Sequence, residues 1–233
     1  SPDDYILAAF LQACTPLIAG IFSIVWLRKR YTGLFKWPTI GEIINSYKEG
    51  WSIFVSSLAV NLYTATNIVV LGMLTNNVIV GYYSAADKLI TCVRRGIYAV
   101  SDAIYPFISK MMKDDISKGL QFIKKQIFLY LVVGLIGCTS LFFFSDTIVK
   151  LLFGADYNLT VDVLRILSFV PLAVAISTVF GEETMLPLNM NSAYSRTLVL
   201  AAFFSLLSIF PLCYLWGAKG VAMTMLLTEF LIM

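Results

Sequence analysis

Long apolar stretches separated by short polar ones dominate the chain. A helix of about 20 mostly apolar residues crosses a bilayer core, and four stretches come close to or exceed that length with no charge inside them: Tyr5 to Leu27, Trp51 to Leu74, Ile127 to Ser145 and Thr197 to Ala218. Leu164 to Leu188 is a fifth, with Arg165, Glu182 and Glu183 near its ends and a kink expected at Pro171. Gly220 to Met233 begins a further span. Val78 to Phe107 is long enough for another crossing but carries Asp87, Lys88, Arg94, Arg95 and Asp102. The pattern predicts an all-α fold, a polytopic transmembrane helix bundle.

The basic residues of the connections give the orientation. Arg28, Lys29, Arg30, Lys36 and Lys48 lie in one long connection, Lys110, Lys113, Lys118, Lys124 and Lys125 in another, and Arg196 in a third. The alternate connections supply only Lys150 and Lys219. The rich side is cytoplasmic by the positive-inside rule, and the asymmetry exists only if Val78 to Phe107 is counted as a crossing. Seven crossings follow, with residue 1 on the outer side and loops 28–50 and 110–126 in the cytoplasm. Each loop reads as an amphipathic helix lying flat at the interface: Thr39-Ile-Gly-Glu42 is a capping box followed by Ile40, Ile43, Ile44 and Tyr47 at helical spacing, and Ile116, Leu120 and Ile123 repeat the pattern beside Lys118, Lys124 and Lys125.

Composition agrees and removes several kinds of chemistry. The chain is 59% hydrophobic and 13% charged, against about 45–50% and about 25% for a soluble domain. It has no histidine, which excludes Ser-His and Cys-His catalytic pairs and histidine metal sites. Cys14, Cys92, Cys138 and Cys213 are far apart in apolar runs and are expected to pack as buried thiols, not as a zinc site or disulfide framework. No glycine-rich phosphate loop is present, so no cofactor is expected. The net charge of +3 reflects orientation and not nucleic-acid binding. The chain starts at Ser1 without a signal peptide and stops at Met233 inside an apolar run, so a fragment is expected.

The charged crossing carries the candidate chemistry. At about 100° per residue, its five charges share an arc of about 120°, with Tyr83, Ser84, Thr91, Tyr98, Ser101 and Tyr105 within or beside it. Ala85, Ala86, Leu89, Cys92, Val93, Gly96, Ile97, Val100, Ala103 and Ile104 form the other side, a small-residue packing face. Each ionised side chain at mid-span costs roughly 2.5–3.5 kcal/mol, so the four from Asp87 to Arg95 together ask for about 10–14 kcal/mol. Lipid exposure is thereby excluded. The face lines a hydrated cavity or meets counter-charges. One reading pairs Asp87 with Arg94 and Arg95 with Asp102, but seven residues are two turns, about 10.5 Å along the axis. Three cations against two anions leave surplus positive charge, which suits an anionic ligand, and paired guanidinium forks suit phosphate.

Neighbouring spans add weaker signals. Ser57, Asn61 and Thr64 align on the second crossing, with Tyr63 and Asn67 turned elsewhere; they suit either sugar hydroxyls or helix contacts. Glu182, Glu183 and Glu229 suit a coupling proton or sodium ion, or a place at the membrane surface, and the surface is expected for Glu182 and Glu183.

The segment Val80-Gly-Tyr-Tyr-Ser-Ala-Ala-Asp-Lys-Leu-Ile90 resembles the Wzx-type O-antigen and polysaccharide flippases of the superfamily that includes MATE drug exporters and the lipid II flippase. Trp216-Gly-Ala-Lys-Gly-Val-Ala222 with Thr228-Glu229-Phe230 resembles a late helix of the same family. The resemblance implies two six-helix lobes around a cavity open alternately to each side. Residues 1–27 would then be the last helix of the first lobe, 28–50 the inter-lobe loop, and 51–233 most of the second lobe. It implies translocation of undecaprenyl-diphosphate-linked oligosaccharide across the bacterial inner membrane, with a proton or sodium counter-ion and association with polysaccharide polymerase machinery, and no covalent chemistry. Arg94 and Arg95, helped by Lys88, are the expected pyrophosphate contacts. Thr91, Tyr98, Asn61 and Thr64 line the cavity, and Asp87 and Asp102 tune the charge or carry the ion. The alternatives are a MATE-like antiporter for cationic drugs, which predicts a net acidic cavity, a membrane-embedded polysaccharide-assembly enzyme, and a scaffold.

Overall fold

A computed structural model describes residues 4–30, 38–154 and 156–233. Its described elements are all helical: α1 (Asp4–Arg30), α2 (Ile40–Leu74), α3 (Asn77–Asp114), α4 (Ile116–Phe153), α5 (Asn158–Leu167), α6 (Val170–Phe180), a π-helical turn (Gly181–Met185), α7 (Asn191–Trp216) and α8 (Ala218–Ile232). Among the described residues, Gly50–Leu74, Ile116–Phe153, Asn158–Met185 and Asn191–Trp216 are long and apolar enough to cross a membrane, and each overlaps a span read from the sequence. Arg30, at the end of α1, lies over the Trp26 ring at 5.2 Å, a cation–π contact at the helix end that favours positive charge.

The chain divides into two units, residues 1–48 and 49–233. In the first unit the Thr39 capping box forms as expected. The Thr39 backbone N–H donates to Glu42 Oε2 at 2.7 Å, the Thr39 hydroxyl donates to the same oxygen at 2.9 Å, and the Glu42 N–H returns a bond to Thr39 Oγ1 at 3.4 Å. Those donors, the backbone N–H first, hold the Glu42 carboxyl below its usual range.

The two amphipathic stretches are not separate surface helices. Ile40 to Tyr47 is continuous with α2, and Ile116 to Ile123 forms the opening turns of α4. A single residue, Asp115, ends α3 and caps α4, its carboxylate accepting from the N–H groups of Ser117 (2.9 Å) and Lys118 (3.3 Å), and these bonds lower its pKa. Of the two stripes only Ile123 packs inward, with Ile108, Met112 and Val179, whereas Ile116, Leu120, Ile40, Ile43, Ile44 and Tyr47 are exposed. One continuous helix also avoids a second set of unpaired terminal groups. At 38 residues, α4 is about 57 Å long, well beyond a bilayer core of about 30 Å.

The Leu164 to Leu188 span is interrupted at the expected kink. Ser168 and Phe169 separate α5 from α6, and Pro171 sits in the first turn of α6, where its missing N–H costs nothing. Val163, Leu164, Leu167, Val170, Ala173 and Val179 along this segment have no solvent exposure, and α3, α4 and α8 pack around it. Close approaches need glycine at two joints. A Cβ on Gly220 would collide with the Leu212 carbonyl of α7, and one on Gly181 would lie 2.5 Å from the Tyr194 ring. Cys138 and Cys213 are buried as expected, Cys14 is half-buried, and Cys92 is exposed. The predicted packing face of α3 is likewise divided: Ala85 and Ala86 are buried, whereas Cys92, Val93, Gly96, Val100 and Ala103 face away from the described elements.

Candidate functional site

A cavity of about 860 Å³ opens in the second unit, lined by α2, α3, α6, the π-helical turn, α7 and α8. Its polar lining comes from Ser56, Ser57, Asn61, Tyr63, Thr64 and Asn67 on α2 and from Asp87, Thr91, Arg94, Arg95, Tyr98, Ser101, Asp102 and Tyr105 on α3. Ser177, Thr178, Glu182, Tyr194 and Glu229 supply the rest. The charged face of α3 thus turns inward at Arg94, as its burial cost requires.

Arg94 Nη2 lies 3.5 Å from Glu229 Oε1, with 11% and 4% of the two side chains exposed. The Tyr63 hydroxyl donates to the same carboxylate oxygen at 3.1 Å. Tyr98 lies beside the guanidinium. Arg94 Nε is buried with no partner, so the fork keeps a free donor in the cavity wall.

Arg94 therefore takes its counter-charge from α8 and not from Asp87 two turns away, and among the described residues no ion pair joins Arg95 to Asp102. Of the sequence-derived candidates, Arg94, Arg95, Thr91, Tyr98, Asn61, Thr64, Asp87 and Asp102 all line the cavity. Lys88 does not; it is exposed and borders a separate depression with Tyr82, Phe153 and Tyr157. It stands at the edge of the charged arc, turned about 100° from its neighbour Asp87, which lines the cavity at that level of α3. Asn61 Nδ2 and Thr64 Oγ1 donate to carbonyls of their own helix, those of Ser57 and Val60, at 2.8 Å each.

Three further expectations change. Tyr63 and Asn67 are 2% exposed and face the cavity. Glu182 and Glu183 are not at the surface: Glu182 lines the cavity and Glu183 is 0% exposed. The surplus of cations also disappears, because Asp87, Asp102, Glu182 and Glu229 line the same cavity as Arg94 and Arg95. Two of those carboxylates come from helices distant in sequence, which a wheel drawn for α3 alone does not include. Glu229 carried a sequence signal as a lone acid in an apolar run, whereas nothing local marked Tyr63 or Asn67.

Glu183 occupies a second polar cluster. Its carboxylate accepts from Ser101 Oγ at 2.6 Å and from Gln126 Nε2 at 2.5 Å. The buried Tyr130 hydroxyl lies beside the Gln126 side chain.

A polar, ion-paired cavity bordered by helices long and apolar enough to cross a membrane fits a polytopic helical membrane protein. Residues 1–112 match the family described as "Polysaccharide biosynthesis protein". Over 232 residues the chain is 30% identical to a "Putative O-antigen transporter" of Shigella dysenteriae, covering 100% of this chain and 58% of the relative. It is 30% identical to a protein of the same name from Escherichia coli K12, covering 98% of this chain and 55% of the relative. It is 27% identical over 180 residues to the "Capsular polysaccharide biosynthesis protein CapF" of Staphylococcus aureus, covering 75% and 44%. The chain spans somewhat more than half the length of the first two. No solved structure matches it.

Proposed function

We propose that this chain forms most of one lobe of a MATE-like flippase, crossing the bacterial inner membrane seven times with loops 28–50 and 110–126 cytoplasmic. The whole protein moves an undecaprenyl-diphosphate-linked oligosaccharide outward by alternating access. The observation that carries this reading is the under-satisfied Arg94 in the wall of a polar cavity. Its 3.5 Å contact with Glu229 is long for a charge-assisted bond, which normally lies at about 2.7–2.9 Å. An incoming phosphate can take the free Nε–H and compete with Glu229 for the fork. Arg95 adds charge nearby, and the hydroxyls of Thr91, Tyr98 and Thr64 and the amide of Asn61 suit sugars. The names of the two O-antigen transporters similar to this chain support the same substrate class.

The test is surface polysaccharide in cells whose only transporter of this type is the whole protein carrying Arg94→Ala together with Glu229→Gln. The double change removes the guanidinium without stranding a buried carboxylate. Loss of surface polysaccharide at unchanged membrane abundance is the expected result; normal polysaccharide overturns the reading.

A second reading, an exporter of organic cations, is favoured by the four carboxylates facing two arginines in the cavity. It predicts that Asp87→Asn abolishes export of a cationic dye from wild-type-competent cells. A wild-type protein that exports no such dye removes it.

A further inference from the structure

Glu183 is buried in a region where nothing neutralises it. It sits on the π-helical turn, completely covered, and both of its recorded partners, Ser101 and Gln126, are neutral donors. Among the described residues no lysine or arginine pairs with it. The groups around it are known by element. α3 supplies Ser101, with Asp102 acting on the neighbouring Glu182; α4 supplies Gln126 and Tyr130; α6 supplies no ionisable side chain; and Tyr194 of α7 bonds Glu182. Every ionisable group here is an acid or a phenol. An ionised carboxylate with only neutral partners is costly to keep out of water, and a carboxylic acid is not.

The surroundings also provide for a proton. Gln126, 6% exposed, bonds Glu183 through Nε2 and lies beside the buried Tyr130 hydroxyl. Ser101 touches Glu183 and also lines the cavity, as do Glu182 and Asp102. A serine hydroxyl can donate or accept, so a change of charge on Glu183 needs only a rotation of that O–H. The π-helical turn is the kind of local distortion that recurs at functional sites, and Gly181 is held under the Tyr194 ring where no Cβ fits.

We propose that Glu183 is a proton-binding site reached from the cavity through Ser101, and that its loading and unloading couple transport to the proton gradient. In the step, hydronium in the cavity gives a proton to Ser101 Oγ as the Ser101 hydroxyl proton passes to the Glu183 carboxylate, which forms its O–H bond and leaves water in the cavity. That O–H then donates to Ser101 Oγ, whose new hydrogen faces the cavity; release reverses the step. No other bond changes. The coupling role rests on the transporter reading; the titration does not.

The test is pH-difference infrared spectroscopy of the purified whole protein in lipid nanodiscs, read at the carboxylic acid C=O stretch, with sodium exchanged for choline in a parallel series. The expected result is a carboxylic acid band that falls as pH rises, is lost in Glu183→Gln and remains in Glu182→Gln, with no response to sodium. A band unchanged in Glu183→Gln overturns the proposal, as does one that Glu183→Gln removes but pH does not move. A band that follows sodium overturns it in favour of a metal cation. In proteoliposomes, Glu183→Gln is expected to lose the dependence of transport on the pH gradient, and retained dependence overturns the coupling. A wild-type protein that shows the titrating band but moves no lipid-linked oligosaccharide fails the transporter reading alone.

Discussion

Glu229 and Glu183 are both buried carboxylates on the same bundle, yet one is held by a cation and the other by neutral donors. Glu229 meets Arg94 and the Tyr63 hydroxyl across a cavity. Glu183 meets a serine and a glutamine amide in a closed crevice. The first arrangement sets a cation against the carboxylate, so it suits recognition of an ion that can replace one of them. The second favours gain and loss of a proton, because neither partner depends on the charge.

The largest effect should come from breaking the charged pair on one side only. Arg94→Ala leaves Glu229 buried without a counter-charge, a change that costs about 3–5 kcal/mol when the pair is well enclosed. Thermal unfolding in detergent should show a clear loss of stability. Adding Glu229→Gln should recover most of it. Glu183→Gln, by contrast, should leave the unfolding temperature near wild type, since an amide preserves the shape, its oxygen can accept from Gln126 Nε2 and its NH2 can donate to Ser101 Oγ. If both single changes destabilise equally, the distinction between the two carboxylates is wrong.

Next in size is Ser101→Ala. It removes one of the two recorded donors to Glu183 and leaves a less satisfied carboxylate, at about 1–3 kcal/mol. The loss should be larger at pH 8 than at pH 5, because a protonated Glu183 needs the donor less. A pH-independent loss would assign Ser101 to packing alone. Gly181→Ala tests the support beneath the same crevice. A Cβ there lies 2.5 Å from Tyr194 Cε2, so the ring must move, and overpacking of this kind costs about 1–3 kcal/mol. Mobility of Tyr194 and Glu182 should rise, while the Arg94–Glu229 pair is unaffected; fluorine labels on Tyr194 would report it.

How much of this was legible in the sequence depends on whether a feature is local. The Thr39 capping box, the apolar spans and the inward-facing part of the α3 charges follow from spacing along one helix. What failed was tertiary. Periodicity places Ile116, Leu120 and Ile123 on one stripe, but the same stripe serves a lipid surface or a partner helix, and here Ile123 meets Met112 and Val179. Pro171 marked a disturbance without saying that the chain would break before it. Glu229 reaches Arg94 only because α8 folds back beside α3, and no property of either segment alone encodes that. Glu182 and Glu183 looked like surface residues because they lie near the end of an apolar run. The π-helical turn and the Tyr194 contact at Gly181 instead carry them inside.

Lys88 gives the smallest expected effect and the sharpest check on the site's boundary. On the α3 wheel it shares an arc with Arg95 and Asp102, yet it is exposed beside Tyr82, Phe153 and Tyr157, outside the cavity. No ion pair holds it among the described residues. Lys88→Ala should therefore change stability by no more than about 0.5 kcal/mol, as surface substitutions usually do, and surface polysaccharide should stay near the wild-type level. Arg95→Ala, about two turns further along the same helix, removes a cavity cation and should reduce it. Equal losses from the two would mean that the depression around Lys88 belongs to the transport path and that the Arg94 cavity is only part of it; a loss from Arg95→Ala alone would confine the path to the wall that Arg94 and Glu229 share.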